Sequence, residues 1–470
     1  MSASRRRRAG ARPRWARIAL WSAAVLVVLA LALFFVGRAW VENYLGSAAF
    51  QQLVATRIGG TLEAQTELDR LHYSAMNLQS DGLRARGSEE AAFSRMNLQQ
   101  IRAELSLRRF FDRIWQVDRL EVQRLALDLD GPRVLLPAAA PVGHARSGGL
   151  LSGWMPDRVE IGSAFIRELN LDWGRPEADA DSRRGHLHGV AIELAPQDGG
   201  WRIDGRGGDL IHEGFPSLDV TRLQIRYRQP MLFVQSAELR QGERGTLNIT
   251  GEVQLKESLD LQVKLASVDV TPLLPPDWRA RLHGSLAGDV NIRTRLPAQT
   301  PPTLSGTLRL EDGQLEALPV LDQIAVFTRM QQFRRLALST ASGDFHHDGV
   351  RLRVSNFAAE SRGLLRLEGK FVVVGGAIDG DFQVGITPAA LQWLPGSQER
   401  VFTVARGGYL WTPMRVTGPL DKPQEDLSGR LAVAAGSAII ETVEKTGREA
   451  IETGKDAAKG VLDLLNPLFR

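Results

Sequence analysis

Histidine and acidic side chains are the groups in this 470-residue chain that could hold a metal ion or move protons. The histidines cluster twice, in His186-Leu-His188 and in the segment Asp344-Phe-His346-His347-Asp348. Imidazole and carboxylate both bind zinc, so the second cluster could in principle be a metal site. However, alternation along a strand places neighbouring histidines on opposite faces, and Asp348-Gly349 has the composition of a hairpin turn. The pattern therefore favours a solvated turn, and we predict neither a metal nor another cofactor.

Other catalytic arrangements find little support in the sequence. There is no cysteine, which excludes disulfides, thiolate catalysis and cysteine-ligated zinc or iron–sulfur sites. No nucleophile elbow G-x-S-x-G and no phosphate loop occur, and Gly205-Arg-Gly207-Gly208 lacks the last glycine of a dinucleotide fingerprint. Because the acidic residues are scattered, no two can be paired as acid and base. The sequence predicts a protein that is not an enzyme.

An uncharged apolar run near the N-terminus predicts a membrane anchor. Residues 18–37 carry no charge, and about 20 apolar residues suffice for one helical span. A cleaved signal peptide is the alternative, but its apolar core is usually only about 7–15 residues long. The anchor positions that we single out are Ile18, Leu20, Val25, Leu29, Leu33, Phe34 and Val36. The arginines that would keep the N-terminus cytoplasmic under the positive-inside rule are Arg5, Arg6, Arg7, Arg8, Arg12, Arg14 and Arg17.

The basic sequence pI of 9.5 does not indicate nucleic-acid binding, because the excess charge lies in the N-terminal tail. The first 38 residues hold 8 of the 58 basic residues and no acidic one, which leaves 50 basic against 54 acidic residues in 39–470. A net charge near −4 on the body of the chain implies no basic stripe for phosphates. We expect no nucleic-acid partner.

Alternating apolar and polar residues predict a mainly β fold. Runs such as Leu259/Leu261/Val263/Leu265 recur through the chain, and a helix is expected before them, from Trp40 to Ile58, ended by Gly59-Gly60. Asp-Gly pairs predict hairpin turns between the strands, at Asp81-Gly82, Asp130-Gly131, Asp198-Gly199, Asp312-Gly313 and Asp348-Gly349. The expected fold is an N-terminal transmembrane helix followed by a long antiparallel meander curled into a groove, with short helices and a C-terminal amphipathic helix.

This reading divides the chain into six segments. They are a cytoplasmic basic tail (1–17), the transmembrane anchor (18–37), a juxtamembrane helix with a first β region (38–131), a Pro/Ala/Gly-rich linker (132–157), a β-groove region (158–436) and the C-terminal helix (437–470). In the last segment apolar and small residues recur three and four apart, which makes a narrow seam. That helix could pack on its own sheet, fray in water, self-associate, recruit another envelope protein or lie on a membrane surface.

One apolar face per strand leaves a large area that a second sheet, helices or a non-protein ligand must cover. Too few helices are predicted to cover it. Periodicity alone does not decide between a dry sandwich core and an open trough that binds acyl chains. The candidates for a lipid-groove lining are Leu308, Leu310, Val350, Leu352, Leu365, Leu367, Phe371, Phe382 and Val384.

Several segments resemble the AsmA-like family of diderm bacteria, which includes relatives of the TamB and YhdP proteins. They are "LQQIRAELSLRRFFDRIWQVDRLEVQRLALDLD" near Leu98, "SGTLRLEDGQLEALPVLDQI" from Ser305, "GDFHHDGVRLRVSNFAAES" from Gly343, "GLLRLEG" from Gly363 and "VTGPLDKPQED" from Val416. The resemblance implies an inner-membrane-anchored, single-pass protein with a periplasmic β-groove. It also implies a role in moving phospholipid to the outer membrane or in outer-membrane assembly.

Two functions remain open at this stage. The first is a non-enzymatic groove that binds or passively conducts phospholipid acyl chains for outer-membrane biogenesis. The second is an envelope scaffold or outer-membrane assembly factor whose sheet is filled by protein and which carries no lipid.

Overall fold

The computed structural model describes residues 48–74, 77–106, 114–134, 158–174, 184–255, 257–274, 276–295, 301–316, 335–392, 396–420, 423–431 and 433–434. Most of these residues lie in β-strands, which confirms the mainly β fold class. The predicted anchor (18–37), the basic tail (1–17) and the C-terminal helix (437–470) fall outside the described residues, as does most of the linker. No helix within the ranges just given is both long and apolar enough to cross a bilayer.

Contacts divide the chain into two units, Met1–Ala178 and Asp179–Arg470. The first unit contains one described helix, α1 (Ala48–Leu62), and seven strands. The strands are β1 (Ala64–Leu68), β2 (Leu71–Ser74), β3 (Asn77–Gly87), β4 (Arg95–Ser106), β5 (Ile114–Asp128), β6 (Arg158–Ile161) and β7 (Ala164–Trp173).

Helix α1 does not stop at Gly59-Gly60, as the sequence suggested, but continues to Leu62. The residue after it, Glu63, takes the left-handed conformation that closes many helices, with φ 54°. Gly59 has a different role, because a Cβ there would lie only 2.7 Å from the carbonyl oxygen of Ala64. The glycine therefore allows α1 to pack closely against β1.

The sheet of the first unit is not wholly antiparallel. Strands β1 and β2 both pair with β3, and β3–β4–β5 continue as antiparallel neighbours. Beyond them β5 pairs in parallel with both β6 and β7. The expected antiparallel meander is therefore interrupted here. Strand β5 ends at Asp128 and β6 begins at Arg158, a separation in sequence long enough for the crossover connection that a parallel pair requires.

The second unit contains seventeen described strands. They are β8 (Gly185–Gln197), β9 (Gly200–Arg206), β10 (Asp209–His212), β11 (Leu218–Arg228), β12 (Met231–Gln241), β13 (Gly245–Gln254), β14 (Ser258–Asp269), β15 (Leu282–Arg295), β16 (Thr303–Glu316), β17 (Arg335–Leu338), β18 (Thr340–His347), β19 (Arg351–Ser361), β20 (Leu365–Val374), β21 (Ala377–Ile386), β22 (Val404–Arg406), β23 (Tyr409–Pro419) and β24 (Gln424–Glu425).

Antiparallel neighbours follow one another from β11 to β16 and onward through β18, β19, β20, β21 and β23. Strands β9 and β10 both pair with β8, and β17 pairs with the far end of β16. Three short helices, α2 (Pro276–Arg279), α3 (Pro388–Leu391) and α4 (Ser397–Arg400), interrupt the strands. The spacing of Val320, Ile324 and Phe327 on one helical face also predicts a short helix at 319–332, which falls outside the described residues.

Only some of the Asp-Gly pairs are hairpin turns. Asp198-Gly199 joins β8 to β9, and Asp348-Gly349 lies between β18 and β19. By contrast, Asp81-Gly82 lies inside β3 and Asp312-Gly313 inside β16. Asp312 has φ 50°, and the register between β15 and β16 shifts beside it. The same tolerance of positive φ that suits a turn here supports a β-bulge within a strand.

Candidate functional site

One face of the second unit is apolar across ten strands, and we call it the apolar face. The residues of this face form rows that cross the strands, because each residue is paired with one residue of the neighbouring strand and paired residues share a face. One such row runs through Ile225, Val234, Gly251, Leu261, Ile292, Leu304, His347, Leu352, Val373 and Ile378. We call this the rim row, since it lies close to the hairpin ends. The rows next to it are also mostly apolar.

Eight of the nine predicted lining residues share this face. Leu308 is paired with Gly288 and Gly343, and Leu310 with Leu286. The other members, all placed on the same face by strand pairing, are Leu352, Leu365, Leu367, Phe371, Phe382 and Val384. The structure therefore brings together residues that are up to 76 positions apart, from Leu308 to Val384.

Val350 does not lie on the apolar face. It is in the turn between β18 and β19, and 72% of its surface is exposed. The Asp348 carboxylate accepts the backbone N–H groups of Val350 and Arg351 at 3.1 and 2.8 Å. These two hydrogen bonds keep the pKa of Asp348 below its ordinary value. The turn thus ends the alternation before Val350 can join the row of Leu352.

The centre of the apolar face retains solvent exposure. Leu308, Leu310, Leu352, Leu367 and Phe371 are each partly exposed rather than buried. A core between two close-packed layers would bury such residues almost completely. Partial exposure of several large side chains in adjoining rows is what a one-layer, accessible surface produces. The described residues therefore leave this part of the face partly accessible to solvent.

Three phenylalanines pack against one another on this surface. Phe371 and Phe382 stack with ring centroids 5.9 Å apart, and Phe357 meets both of them edge-on at 5.9 and 6.2 Å. Phe382 is only 7% exposed. The ring of Phe382 packs over Gly380, where a Cβ would lie only 2.6 Å from the ring. The aromatic cluster therefore supplies rigid apolar area within the face.

The apolar face is closed at its far side by the chain itself. Leu391, Val401, Phe402, Leu427 and Ala434 form a buried cluster. Partly buried residues of the sheet pack against it, among them Val384, Ile386, Leu410 and Met414. A second buried cluster of Leu336, Leu364 and Ala390 packs with Leu315, Leu365 and Ile386. Two of the predicted lining residues, Val384 and Leu365, thus contact protein.

The opposite face carries paired charges. Arg415 forms ion pairs with Asp379 and, at 2.5 Å, with Asp381, and these carboxylates raise the pKa of Arg415. Asp344 accepts hydrogen bonds from Thr307 at 2.6 Å and Asn356 at 2.7 Å, which lower its pKa. A shallow depression of about 540 Å³ adjoins them, lined among others by His346, Arg353 and Lys370. Nothing in this arrangement pairs an acid and a base around a reacting centre.

Both histidine clusters lie within strands, His186 and His188 in β8 and His346 and His347 in β18. His186 and His188 stack with ring centroids 4.2 Å apart, and His186 Nε2 is 3.6 Å from the carboxylate of Asp209. His346 and His347 are consecutive residues of β18, so their side chains point to opposite faces, as the alternation predicted. His347 lies in the rim row. Its position in the alternation Phe345-x-His347 is the signal that could have assigned it to the apolar face.

Near the C-terminal hairpin a network fixes β22 against the sheet. The Tyr409 hydroxyl donates to Glu360 at 2.9 Å, and burial together with this hydrogen bond raises the pKa of Tyr409. Trp411 donates its indole N–H to the carbonyl oxygen of Arg406 at 2.9 Å, and the guanidinium lies 4.2 Å from the ring centroid. Gly385 leaves room for this indole, because a Cβ there would approach it to 2.8 Å.

Comparison with known proteins adds little to the geometry. No family model matches the chain, and no solved structure is similar to it. The chain is similar to the nuclear protein STH1/NPS1 of Saccharomyces cerevisiae, with 24% identity over 150 residues. That similarity spans 29% of this chain and 11% of the yeast protein, too small a part of either to show a family.

Proposed function

We propose that this protein is a membrane-anchored, non-enzymatic lipid-binding protein of the diderm cell envelope, related to the AsmA-like proteins. Its apolar face would bind phospholipid acyl chains, and the body of the chain would lie in the periplasm below an inner-membrane anchor at 18–37. The observation that carries the proposal is the partial exposure of Leu308, Leu310, Leu352, Leu367 and Phe371 on one continuous face. Adjoining apolar side chains that remain accessible to water support a binding surface for an apolar ligand.

Passive binding is energetically sufficient for this role. Each methylene group that leaves water stabilises the complex by about 0.8 kcal/mol, so a long acyl chain needs no covalent or ATP-driven step to stay bound. The headgroup would remain in water at the rim. Outer-membrane biogenesis is the process that the resemblance favours for such a groove.

Phospholipid quantified by mass spectrometry in the purified full-length protein tests this function. Leu310→Glu places a carboxylate on the apolar face and is expected to remove most of the bound phospholipid. Arg309→Glu, one residue away on the opposite face, is the matched control and is expected to retain it. A wild-type protein that carries no phospholipid, or equal retention by both variants, would contradict the proposal.

A second candidate is an envelope scaffold or assembly factor that carries no lipid. It is favoured by the cluster around Phe402, which shows that protein fills part of the apolar face. In that case other chain segments would cover the rest of the face, and Leu310→Glu would unfold the protein instead of only removing lipid. Thermal unfolding of the same two variants distinguishes the candidates.

A further inference from the structure

The rim row contains one polar side chain. Nine of its ten members are apolar residues or glycine, and the tenth is His347, in register between Leu304 and Leu352. If this position only packed against other apolar groups, an apolar side chain would suit it better than an imidazole, whose two ring nitrogens both need hydrogen-bond partners when buried. The exception in an otherwise uniform row points to a polar ligand group.

The imidazole of His347 is oriented by the turn that follows it. Its Nδ1 accepts the backbone N–H of Gly349 at 3.2 Å. In the neutral ring this hydrogen bond places the proton on Nε2, which is then a donor. Among the described residues no hydrogen-bond partner is found for Nε2, and the ring is partly exposed on the apolar face. The turn requires glycine at this position, since Gly349 has φ 93° and a Cβ there would lie 2.7 Å from Pro301.

The distance from His347 to the closed end of the face matches the length of an acyl chain. It is the last residue of β18, next to the hairpin turn, whereas Ala341 lies three same-face positions back along the strand. Three steps of two residues span about 20 Å. One leaflet of a bilayer core is about 15 Å thick, so the stretch can hold an extended acyl chain. Beyond it the buried cluster around Leu364 closes the face.

We infer that His347 is a headgroup-positioning residue. Its Nε2–H would donate to a phosphate or glycerol-ester oxygen of a bound phospholipid while the acyl chains run from the rim row towards Leu308 and Leu310. The inference rests on the proposed function and adds to it the direction in which the phospholipid lies on the face. The headgroup lies at the hairpin end that carries His347. One neutral donor on an apolar surface selects an amphiphile rather than a free anion.

Binding of two pyrene-labelled probes to the full-length protein in amphipol tests the inference. One probe is a pyrene-acyl phosphatidylethanolamine, and the other is a pyrene-alkane without a headgroup. His347→Leu and His347→Phe both remove the donor and keep the row apolar, so one serves if the other folds poorly. Each is expected to weaken phospholipid binding about fivefold to tenfold, as expected for one hydrogen bond, with the alkane unaffected.

Two further variants serve as controls. His347→Gln retains an N–H donor and is expected to bind the phospholipid within about twofold of wild type. His346→Leu, the neighbouring histidine on the opposite face, is expected to behave like wild type with both probes. Millimolar inorganic phosphate is expected not to compete with the labelled phospholipid.

The outcomes separate this inference from the function on which it rests. Unchanged phospholipid affinity in His347→Leu and His347→Phe, or an equal loss with the alkane, would overturn the role of His347 while leaving the groove intact. Competition by inorganic phosphate would also overturn it, since the site would then bind a free anion. A wild-type protein that binds neither probe would instead refute the proposed function.

Discussion

Truncating Leu308 on the apolar face and Leu391 in helix α3, which belongs to the buried cluster at the far side of that face, should have very different costs. Leu308 is partly exposed on the apolar face, whereas Leu391 is 2% exposed and packs with Val401 and Phe402. Both would be changed to alanine, so that the chemistry of the substitution is the same. The comparison therefore measures how completely protein surrounds each position.

The expected magnitudes follow from the surroundings of each side chain. Leu391→Ala should cost about 3–5 kcal/mol, because it loses the transfer free energy of the leucine and leaves a cavity that its neighbours cannot fill. Leu308→Ala should cost only about 1–1.5 kcal/mol, because part of the side chain already contacts water and no enclosed cavity forms. The difference between the two variants should be at least about 1.5 kcal/mol.

Urea unfolding of the full-length protein, followed by tryptophan fluorescence, gives both free energies under the same conditions. Equal losses for Leu308→Ala and Leu391→Ala would mean that Leu308 is enclosed as completely as Leu391. The reasoning from partial exposure would then be refuted.

Two further predictions concern the helix and the hairpin that flank the sheets. Gly59→Ala should destabilise the protein by about 1–3 kcal/mol, because the new Cβ would lie 2.7 Å from the carbonyl oxygen of Ala64. Gly60→Ala is the matched control: its Cβ would have no atom within 4 Å, so the better helix propensity of alanine should stabilise the protein by up to about 1 kcal/mol. Thermal melts measure both effects. Burial and the hydrogen bond to Glu360 raise the pKa of Tyr409, so the protonated phenol contributes stability that is present below about pH 10 and is lost as the pH rises through the folded-state pKa. Urea midpoints of the wild type should therefore fall between about pH 8 and 11, and Tyr409→Phe should remove the part of this fall that comes from Tyr409. An unchanged pH dependence in Tyr409→Phe would contradict the prediction.

The alternation of apolar and polar residues predicted the mainly β fold and the face shared by Leu308, Leu310, Leu352, Leu367 and Phe371. This works because the side-chain period of a strand is two, so a run of leucines at every second position can occupy only one face. The pattern also placed His346 and His347 on opposite faces.

Residues beyond a bulge could not be placed in this way. Asn356 has φ 51°, and the pairing of β19 with β20 shifts between Val354 and Phe357. The extra residue reverses the alternation, so Phe357 joins Phe371 and Phe382 although strict period two from Val354 would put it on the polar face. A single residue with positive φ is therefore enough to add an aromatic side chain to the site.

Long-range features were also beyond the reach of local patterns. The parallel pairing of β5 with β6 and β7 depends on a crossover connection. The residues of the individual strands do not predict whether the pairing is parallel or antiparallel. The cluster that closes the face brings Leu391 and Phe402 together with Leu427, and its members are short segments without a clear period. Such closure is set by tertiary packing, which local propensity does not determine.

Photo-crosslinking in living cells tests the central claim most directly. The photoreactive residue p-benzoylphenylalanine would replace Leu308 in one full-length variant and Arg309 in another, in diderm cells labelled with radioactive phosphate. Because the two positions are adjacent but face opposite sides of β16, the account predicts phospholipid adducts at Leu308 and none at Arg309. Equal labelling at both positions, or protein–protein adducts without lipid at Leu308, would contradict it.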